Sequence, residues 1–294
     1  MKKSNFKNPV LPYLLVAPQL VVVVLFFFWP AFDSLRLSVF TVSPFGDRMI
    51  FVGLDNFVNL LTSPEYYRSV YHSFLFSLGV TFSCLSVSLL LAVLVNQKIR
   101  GLAFYRSAIL WTFGVAPPIS GVIWLFIFHP TYGILSYLLA RVTSLEFNWL
   151  LQEWVALVLV IFAASYAHLG YNVAFFLAAL QNIPGTVVEA ARVDGASGLR
   201  LFRSITFPLL SPVTFFLFIM NMVFSFFETF GIIHAVTQGG PGDATTIMVY
   251  KAYVDGFVHM RMGLSAAQSV ILMALVIFLT VLQFRYTEKK VSYS

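Results

Sequence analysis

The residues of this sequence that could do chemistry are few, and most of them interrupt long apolar runs. Asn221, Ser225 and Glu228 are spaced by four and three residues, so on a helix they share one face. In a membrane span such a face either lines a path for a polar solute or bonds neighbouring helices together, and both alternatives stay open. For the three residues as a group, the path is the favoured interpretation.

Other polar residues extend this candidate path without adding a catalytic motif. His168, Tyr171 and Asn172 interrupt an earlier apolar run, and Gln268 lies near the outer end of the last one. The sequence has no G-x-x-x-x-G-K-[ST] phosphate loop and no H-E-x-x-H metal motif, and its five histidines form no ligand-spaced pair. We therefore predict that the chain is not an enzyme and binds neither a metal nor a cofactor.

The composition is that of a membrane protein. Of the 294 residues, 59% are hydrophobic and only 10% are charged, whereas an ordinary soluble domain carries roughly 25% charged residues. So few charges leave too little polar surface to cover a globule in water. The single cysteine, Cys84, excludes an internal disulfide framework and a cysteine-based zinc site.

Six apolar runs are long enough to span a bilayer, whose core of about 30 Å needs about 20 helical residues. They predict an all-α membrane protein. We expect Pro117 and Pro118 to kink the third span without ending it. The predicted spans are Leu11–Phe32, Val70–Val95, Phe104–Phe128, Val155–Leu180, Pro212–Val236 and Ala266–Tyr286.

The basic residues predict the orientation of these spans. Twelve Lys and Arg residues lie at the termini and in the second and fourth loops, against six in the other three loops. The positive-inside rule then places both termini and the fourth loop in the cytoplasm. The net charge of +6 is therefore an orientation signal and does not indicate nucleic-acid binding. The first run is too long for a signal peptide and is expected to be a retained span.

The fourth loop carries a short helical pattern between two spans. Thr186 and Glu189 have the spacing of a capping box, and Gly195 follows where a residue with positive φ would end a helix over 187–193. Ala190 and Ala191 would give this helix a low-profile face for close contact with another surface. A second, amphipathic helical piece then leads into the fifth span. A plain connector between two spans remains the alternative.

These residues resemble the EAA loop of ATP-binding-cassette (ABC) importer permeases. Glu189-Ala190-Ala191 is followed at the family spacing by Gly195 and then by Ile205-x-Phe207-Pro208, where Phe207 replaces the usual Leu. "LPYLLVAPQL", "FVGLDNF" and "GGPGDATT" are similar to the A-type permeases of sn-glycerol-3-phosphate uptake systems, in the carbohydrate branch of the family. The resemblance implies the type I importer permease fold and a cytoplasmic coupling helix that docks on the ATPase subunit. Its implied residues are Thr186, Glu189, Ala190, Ala191, Arg192, Asp194, Gly195 and Pro208.

The resemblance also implies the partners of the chain in an inner-membrane importer. They are a homologous second permease subunit, two ATPase subunits that hold ATP and Mg, and a periplasmic substrate-binding protein, all within membrane lipid. The last outer loop, with Gly239, Gly240 and Pro241, would touch the binding protein. As a turn cluster it needs no such contact, and both interpretations stay open.

On this basis the chain divides into three parts. Residues 1–69 hold the first span and first periplasmic loop, residues 70–286 form the permease core with the EAA loop at 181–211, and residues 287–294 form a cytoplasmic tail. The implied cargo is sn-glycerol 3-phosphate, and a di- or oligosaccharide is the alternative. Glu228 would repel a phosphate unless it is protonated or paired, whereas a protonated His168 would suit one. A self-sufficient secondary transporter or channel and a non-transporting scaffold are the alternatives from other classes.

Overall fold

In the computed structural model, which describes residues 11–43, 48–97, 100–142 and 148–287, the chain is almost entirely helical. Nearly all of the predicted tail lies outside the described residues. So do six of the basic residues that were counted to predict the orientation: Lys2, Lys3, Lys7, Lys98, Lys289 and Lys290. The helices are α1 (Leu11–Val23, continued by a π turn at Val24–Phe28 and by Trp29–Leu37), α2 (Asp55–Thr62), α3 (Pro64–Val95), α4 (Leu102–Leu110, with a 3-10 turn at Trp111–Gly114), α5 (Pro117–Phe128), α6 (Ile134–Val142), α7 (Glu153–Gln181), α8 (Gly185–Val193), α9 (Gly198–Leu201, continued by a π turn at Phe202–Thr206 and by Phe207–Leu209), α10 (Ser211–Phe227), α11 (Phe230–Val236), α12 (Met248–Tyr253, continued by a π turn at Val254–Val258) and α13 (Met262–Thr287).

Four of these helices, α1, α3, α7 and α13, are long and apolar enough to cross a membrane. Two bent pairs, α4 with α5 and α9 with α10, raise the number to six if each pair is one span. The all-α fold is therefore confirmed. The four straight helices extend a few residues beyond the predicted spans, because polar residues add a turn of helix beyond an apolar run.

The third predicted span is broken, and the expectation of a mere kink was wrong. Ala116 is extended (φ −61°, ψ 140°) and Pro117 is the first residue of α5, so two segments meet at a bend of 108°. Two consecutive prolines offer no N–H groups to the preceding turn, and a residue before proline disfavours the helical conformation. Pro117 and Pro118 therefore start a helix, the position in which proline costs least.

The fifth predicted span, Pro212–Val236, is also broken. Helix α10 ends at Phe227, and the next two residues, Glu228 (φ −101°, ψ −1°) and Thr229 (φ −92°, ψ 0°), stay right-handed but have the ψ near 0° that is typical of turns. Helix α11 then packs on α5, where Gly231 lies against the ring of Pro118 and Gly121 lies against Ile232. Glycines allow this close approach of two backbones, which the straight continuation of α10 would not permit.

The chain divides into two compact units, and the larger one contains the described part of residues 64–251 and 274–294. Its centre is the packing of α3 on α7, with α5, α10 and α11 around them. Hydroxyls join these helices: Ser83 on α3 bonds Ser165 on α7 (Oγ–Oγ 2.6 Å), and Ser120 on α5 donates to the carbonyl of Ala163 on α7 (3.2 Å). Such contacts are typical of helices that pack within a membrane.

An apolar cluster holds the ends of three helices together beside α8. Its buried members come from α3, α7 and α10 and include Val95, Phe176, Leu180 and Leu217. Next to it, Arg106 donates from Nε (3.2 Å) and Nη2 (3.1 Å) to the carbonyl of Val95, the last residue of α3. This guanidinium satisfies a carbonyl that the end of the helix leaves without a partner.

The smaller unit contains the described part of residues 1–63 and 252–273. Strands β1 (Phe40–Val42) and β2 (Met49–Phe51) pair antiparallel, with Thr41 opposite Ile50. The side chain of Asn56 donates to the carbonyls of Ser38 (2.9 Å) and Phe40 (3.0 Å), which fixes α2 on the hairpin. Helix α1 has no buried residue.

Candidate functional site

The loop between α7 and α10 contains the predicted short helix, but it begins earlier than the sequence suggested. Helix α8 starts at Gly185 and its N-cap is Pro184, which is extended (φ −60°, ψ 129°) and makes no side-chain capping bond. Thr186 is the second helical residue, so the capping box with Glu189 was a wrong prediction. Pro184 fixes the extended conformation that an N-cap needs, and the chain enters the helix before Thr186 could cap it.

The C-terminal end of α8 is a Schellman motif. Gly195 has φ +83°, its N–H donates to the carbonyl of Arg192 (3.0 Å), and the N–H of Ala196 donates to that of Ala191 (2.9 Å). This pair of bonds closes a helix through a left-handed residue, where glycine has no steric penalty. The positive φ predicted for Gly195 is confirmed, and the helix therefore has a defined end.

The two alanines of the motif do not share an exposed face. Ala191 is buried, whereas Ala190 is exposed and shares the outer surface with Val193, which is 87% exposed. Adjacent residues on a helix point about 100° apart, so the predicted face of Ala190 and Ala191 together was wrong. The surface available for docking combines Ala190 and Val193 with Thr186 and Asp194, all exposed, whereas the exposed Glu189 and Arg192 line a cavity toward the body of the protein.

A cavity of about 650 Å³ separates α8 from the body of the larger unit. Its wall on α8 is formed by Gly185, Val188, Glu189 and Arg192. The opposite wall comes from the ends of α3 and α7 and from α9, with Asn96, Gln97, Ile183 and Phe202 among its residues. Helix α8 is therefore attached mainly at its two ends and through Ala191, an arrangement suited to movement as one rigid piece.

The rest of the motif lies on α9. Pro208 and Phe207 are exposed near its end, and α9 meets α10 at a bend of 68°. The segment that joins α8 to α10 is therefore short and helical.

Two residues of the candidate substrate path bond each other inside the larger unit. The side-chain amides of Asn172 and Asn221 exchange two hydrogen bonds, of 2.7 Å and 3.1 Å between N and O. Both residues are fully buried, and each also donates to a backbone carbonyl one turn earlier, that of His168 or Leu217. Ser225 is equally buried and bonds the hydroxyl of Ser77 on α3 (2.5 Å).

Asn221, Ser225 and Glu228, which were predicted to share one face, differ in burial. Asn221 and Ser225 are buried against α7 and α3, whereas Glu228 is the C-cap of the helix and is exposed. Gln268 belongs to the smaller unit, where its Nε2 donates to Oδ2 of the buried Asp255 (2.5 Å).

His168 and Tyr171 form an aromatic stack beside the paired asparagines. The ring of His168 lies 4.1 Å from that of Phe224 and 4.8 Å from that of Tyr171, centroid to centroid. Its Nε2 atom is buried and has no hydrogen-bond partner among the described residues. A buried polar atom without a partner is costly, and it is the kind of group that a polar solute satisfies.

The glycine-rich loop between α11 and α12 is a tightly bonded turn. Gly239 is buried with φ +86°, and a β-carbon there would lie 2.5 Å from Oγ1 of Thr246. Thr245 and Thr246 donate to the carbonyls of Gly240 (3.0 Å) and Gly239 (3.1 Å). Gly240 and Pro241 are half-buried, so the most exposed part of the turn is at residues 242 and 243.

The match between Asn172 and Asn221 is the feature of this region that sequence reasoning missed. The sequence predicts a place on the candidate path for each residue separately, because it shows only a single polar residue within each apolar run. An amide has both donors and acceptors, so two asparagines on different spans can satisfy each other. The presence of one asparagine in each of two apolar runs was therefore the available clue.

Comparisons with known proteins agree with this architecture. Residues 10–293 match the family described as binding-protein-dependent transport system inner membrane component. The sn-glycerol-3-phosphate transport system permease protein UgpA of Brucella abortus biovar 1 (strain 9-941) is 48% identical over 294 residues, 100% of both chains. That of Escherichia coli O157:H7 is 47% identical over 288 residues, 98% of this chain and 97% of the relative.

Solved structures show the same fold. A chain from a bacterial alginate ABC transporter in complex with an alginate pentasaccharide-bound periplasmic protein superposes with a TM-score of 0.81 at 18% identity, over 97% of this chain and 96% of that one. A chain from a bacterial ABC transporter involved in import of the acidic polysaccharide alginate gives a TM-score of 0.79 at 20% identity, over 96% and 98%.

The match to the family covers nearly the whole chain, and the relatives agree with it from end to end. Membership decides against the secondary transporter, the channel and the scaffold. It also shows that the chain is a transport subunit and not an enzyme. The chain belongs to the binding-protein-dependent transport system inner membrane components, the permease subunits of ABC importers.

Proposed function

We propose that this permease imports sn-glycerol 3-phosphate. The observation that supports this cargo is the 47–48% identity, over essentially full length, to permeases of sn-glycerol-3-phosphate transport systems. We infer further that the chain pairs with a homologous permease, that two ATPase subunits holding ATP and Mg dock on the pair, and that a periplasmic binding protein delivers the cargo.

In this proposal α8 is the coupling helix. Its exposed residues, from Thr186 to Asp194, would enter a cleft on the ATPase, and the Schellman motif at Gly195 would keep its end rigid. When ATP closes the ATPase pair, α8 would move as a unit and pull on α10 through α9 and Pro208. The positive-inside rule supports this arrangement, because it places the loop and both termini in the cytoplasm.

The candidate substrate path is centred on His168 and Tyr171. The unpartnered Nε2 of His168 supports a contact with a hydroxyl or phosphate oxygen of the cargo. Asn172, Asn221 and Ser225 have partners within the chain, so we assign them to holding α7, α10 and α3 in place around the path. Glu228 and Gln268 remain candidates, and the exposed carboxylate of Glu228 would disfavour a phosphate unless a cation pairs with it.

The last outer loop remains a candidate contact for the binding protein. Because Gly239 is buried, such a contact would use the exposed part of the turn around Asp243, with Gly240 and Pro241 shaping it. The backbone carbonyl of Asp243 lies 3.1 Å from Nδ1 of His72, which ties the turn to α3.

The test is uptake by the complete importer, reconstituted with its binding protein and ATPase in vesicles loaded with ATP. We expect saturable uptake of labelled sn-glycerol 3-phosphate, and no uptake when ATP is omitted. Labelled maltose, offered at the same concentration, is the matched control. ATP-dependent uptake of maltose without uptake of glycerol 3-phosphate would reject the proposed cargo and favour the sugar alternative.

A further inference from the structure

Helix α6, between α5 and α7, presents an apolar stripe outward. Ile134 (70% exposed), Tyr137 (57%), Leu138 (53%) and Val142 (82%) follow the i, i+3, i+4, i+8 spacing of one helix face. Ser136 points inward, and its Oγ donates to the carbonyl of Phe128 (3.1 Å). In a helix on the surface of a water-soluble protein the apolar stripe faces the core. Here the stripe faces outward, which indicates an apolar environment outside.

The chain connections place α6 at the level where two helices of the bundle reach the membrane surface. Five residues separate it from the end of α5, so Ile134 lies within about 22 Å of Phe128 even if the link were fully extended. Ser136 and the indole Nε1 of Trp149 (3.0 Å) both donate to the carbonyl of Phe128, which holds the segment there. The ring of Phe128 packs on Phe162, nine residues into α7. Helix α7 has 29 residues, more than the ~20 needed to cross the bilayer, so its first turns reach the membrane surface or beyond.

An exposed aromatic pair lies next to the stripe along the chain, with one ring on α5 and one in the link to α6. The rings of Phe126 and Tyr132 are 6.0 Å apart, and both side chains are more than half exposed. Tyr132 stacks on His129 with 3.6 Å between centroids. Aromatic rings with a polar edge are enriched where a membrane protein passes from hydrocarbon to headgroups.

The stripe also carries a cation in the position that a lipid surface favours. Arg141 is exposed, and its guanidinium carbon lies 4.8 Å from the ring centroid of Tyr137. An arginine beside an apolar stripe can extend its stem along the hydrocarbon and place its charge among headgroup phosphates. A docking surface for another protein would not need this combination of an outward aliphatic row and a flanking arginine.

We propose that α6 is an interfacial helix whose partner is the lipid bilayer itself. Ile134, Tyr137, Leu138 and Val142 lie at the boundary between headgroups and acyl chains, and Arg141 faces the phosphates. The helix lies along the membrane face at which α5 ends and α7 begins. It fixes the corner between these helices against the bilayer, while α8, at the other end of α7, stays free to move.

Fluorescence quenching tests this placement in the complete importer. Single cysteines replace Leu138 or Val142 in a Cys84→Ala background and carry an environment-sensitive fluorophore, in vesicles of phosphatidylcholine and phosphatidylglycerol. Quenchers are bromine atoms on the acyl chains and, separately, iodide in the water. Glu65→Cys is the matched control, because the Glu65 side chain is charged and 80% exposed at the start of α3. Retained ATP-dependent uptake shows that each labelled importer is folded.

We expect brominated lipid to remove most of the fluorescence at 138 and 142 and none at 65, with iodide removing little at 138 and 142. Quenching of 138 and 142 by iodide alone would place the stripe in water and overturn the proposal. Shielding of both labels from both quenchers would show that a protein subunit covers the stripe, and would overturn it equally. Neither result depends on which cargo the importer carries.

Discussion

At the scale of single residues, the two glycines at the ends of α8, Gly185 and Gly195, can be compared directly. A β-carbon at either position would meet no atom within 4 Å, but only Gly195 has a positive φ. Alanine at Gly195 should cost about 1–2 kcal/mol, because an L-residue opposes the left-handed conformation. Alanine at Gly185 should be neutral or stabilising by up to about 1 kcal/mol.

Hydrogen exchange measures this difference locally. In Gly195→Ala the amides of residues 195 and 196, which close the Schellman motif, should exchange about 5–30-fold faster than in the unchanged protein. Gly185→Ala should leave them unchanged. Equal exchange in both variants would show that the left-handed residue does not hold the end of the helix.

The Asn172–Asn221 pair predicts a non-additive result. Leucine at either position leaves the other amide buried without its hydrogen-bond partner, whereas leucine at both positions leaves no buried amide. We expect a coupling energy of about 0.6 kcal/mol, with about 1.7 kcal/mol as the upper bound for bonds between membrane helices. Unfolding of the four proteins by a denaturing detergent gives the free energies. Additive effects would mean that the two amides do not stabilise each other.

The positive φ of Gly195 was predictable from the sequence, because a glycine directly after a helical pattern commonly ends the helix in the left-handed conformation. It did not predict that Ala191 is buried and Ala190 exposed, because the sequence shows no neighbour that decides which side of α8 faces the protein. The predicted capping by Thr186 was wrong because the helix begins two residues earlier, with Pro184 as its N-cap.

At the scale of elements, the break in the third span is seated against α7. A β-carbon at Gly170 would lie 2.8 Å from the backbone nitrogen of Phe113 and 2.6 Å from Oγ1 of Thr112. Gly170→Val should therefore push the 3-10 turn away from α7 and lower the thermal stability of the purified importer. Gly114→Val is the matched control in the same turn, because a β-carbon there meets no atom within 4 Å. A loss of stability in the control as large as in Gly170→Val would contradict this packing.

The long helices were predictable because runs of apolar residues at this length have few other structures in a bilayer. The breaks at Ala116 and Glu228 were not predictable, because the local sequence is compatible both with a kinked helix and with the end of one helix and the beginning of another. What decides is the packing of α11 on α5 through Gly121 and Gly231, a contact between segments more than a hundred residues apart. The amphipathic pattern of α6 was visible in the sequence as Ile134, Tyr137, Leu138 and Val142, but its helix is too short to stand out among the spans.

At the scale of the whole molecule, the proposed orientation predicts the location of the C-terminus. Twelve basic residues against six favour a cytoplasmic position. A reporter enzyme that is active only in the periplasm, fused after Ser294, should therefore be silent in cells. The same reporter fused within the loop between α11 and α12, after Asp243, should be active. Activity at the C-terminus would reverse the orientation and place α8 on the wrong side for an ATPase.

The central claim is that α8 transmits the ATPase cycle to the membrane helices, and its exposed Ala190 gives the most direct test. The measurement is ATP hydrolysis by the reconstituted importer, with and without loaded binding protein, in Ala190→Trp and in the control Ala103→Trp, whose alanine is exposed on α4. A tryptophan at 190 should block docking without disturbing the bundle, so the permease pair should purify intact while stimulated hydrolysis and uptake are lost. The control should keep both. Full stimulation and uptake in Ala190→Trp would contradict the account, because α8 would then be a plain connector between two spans.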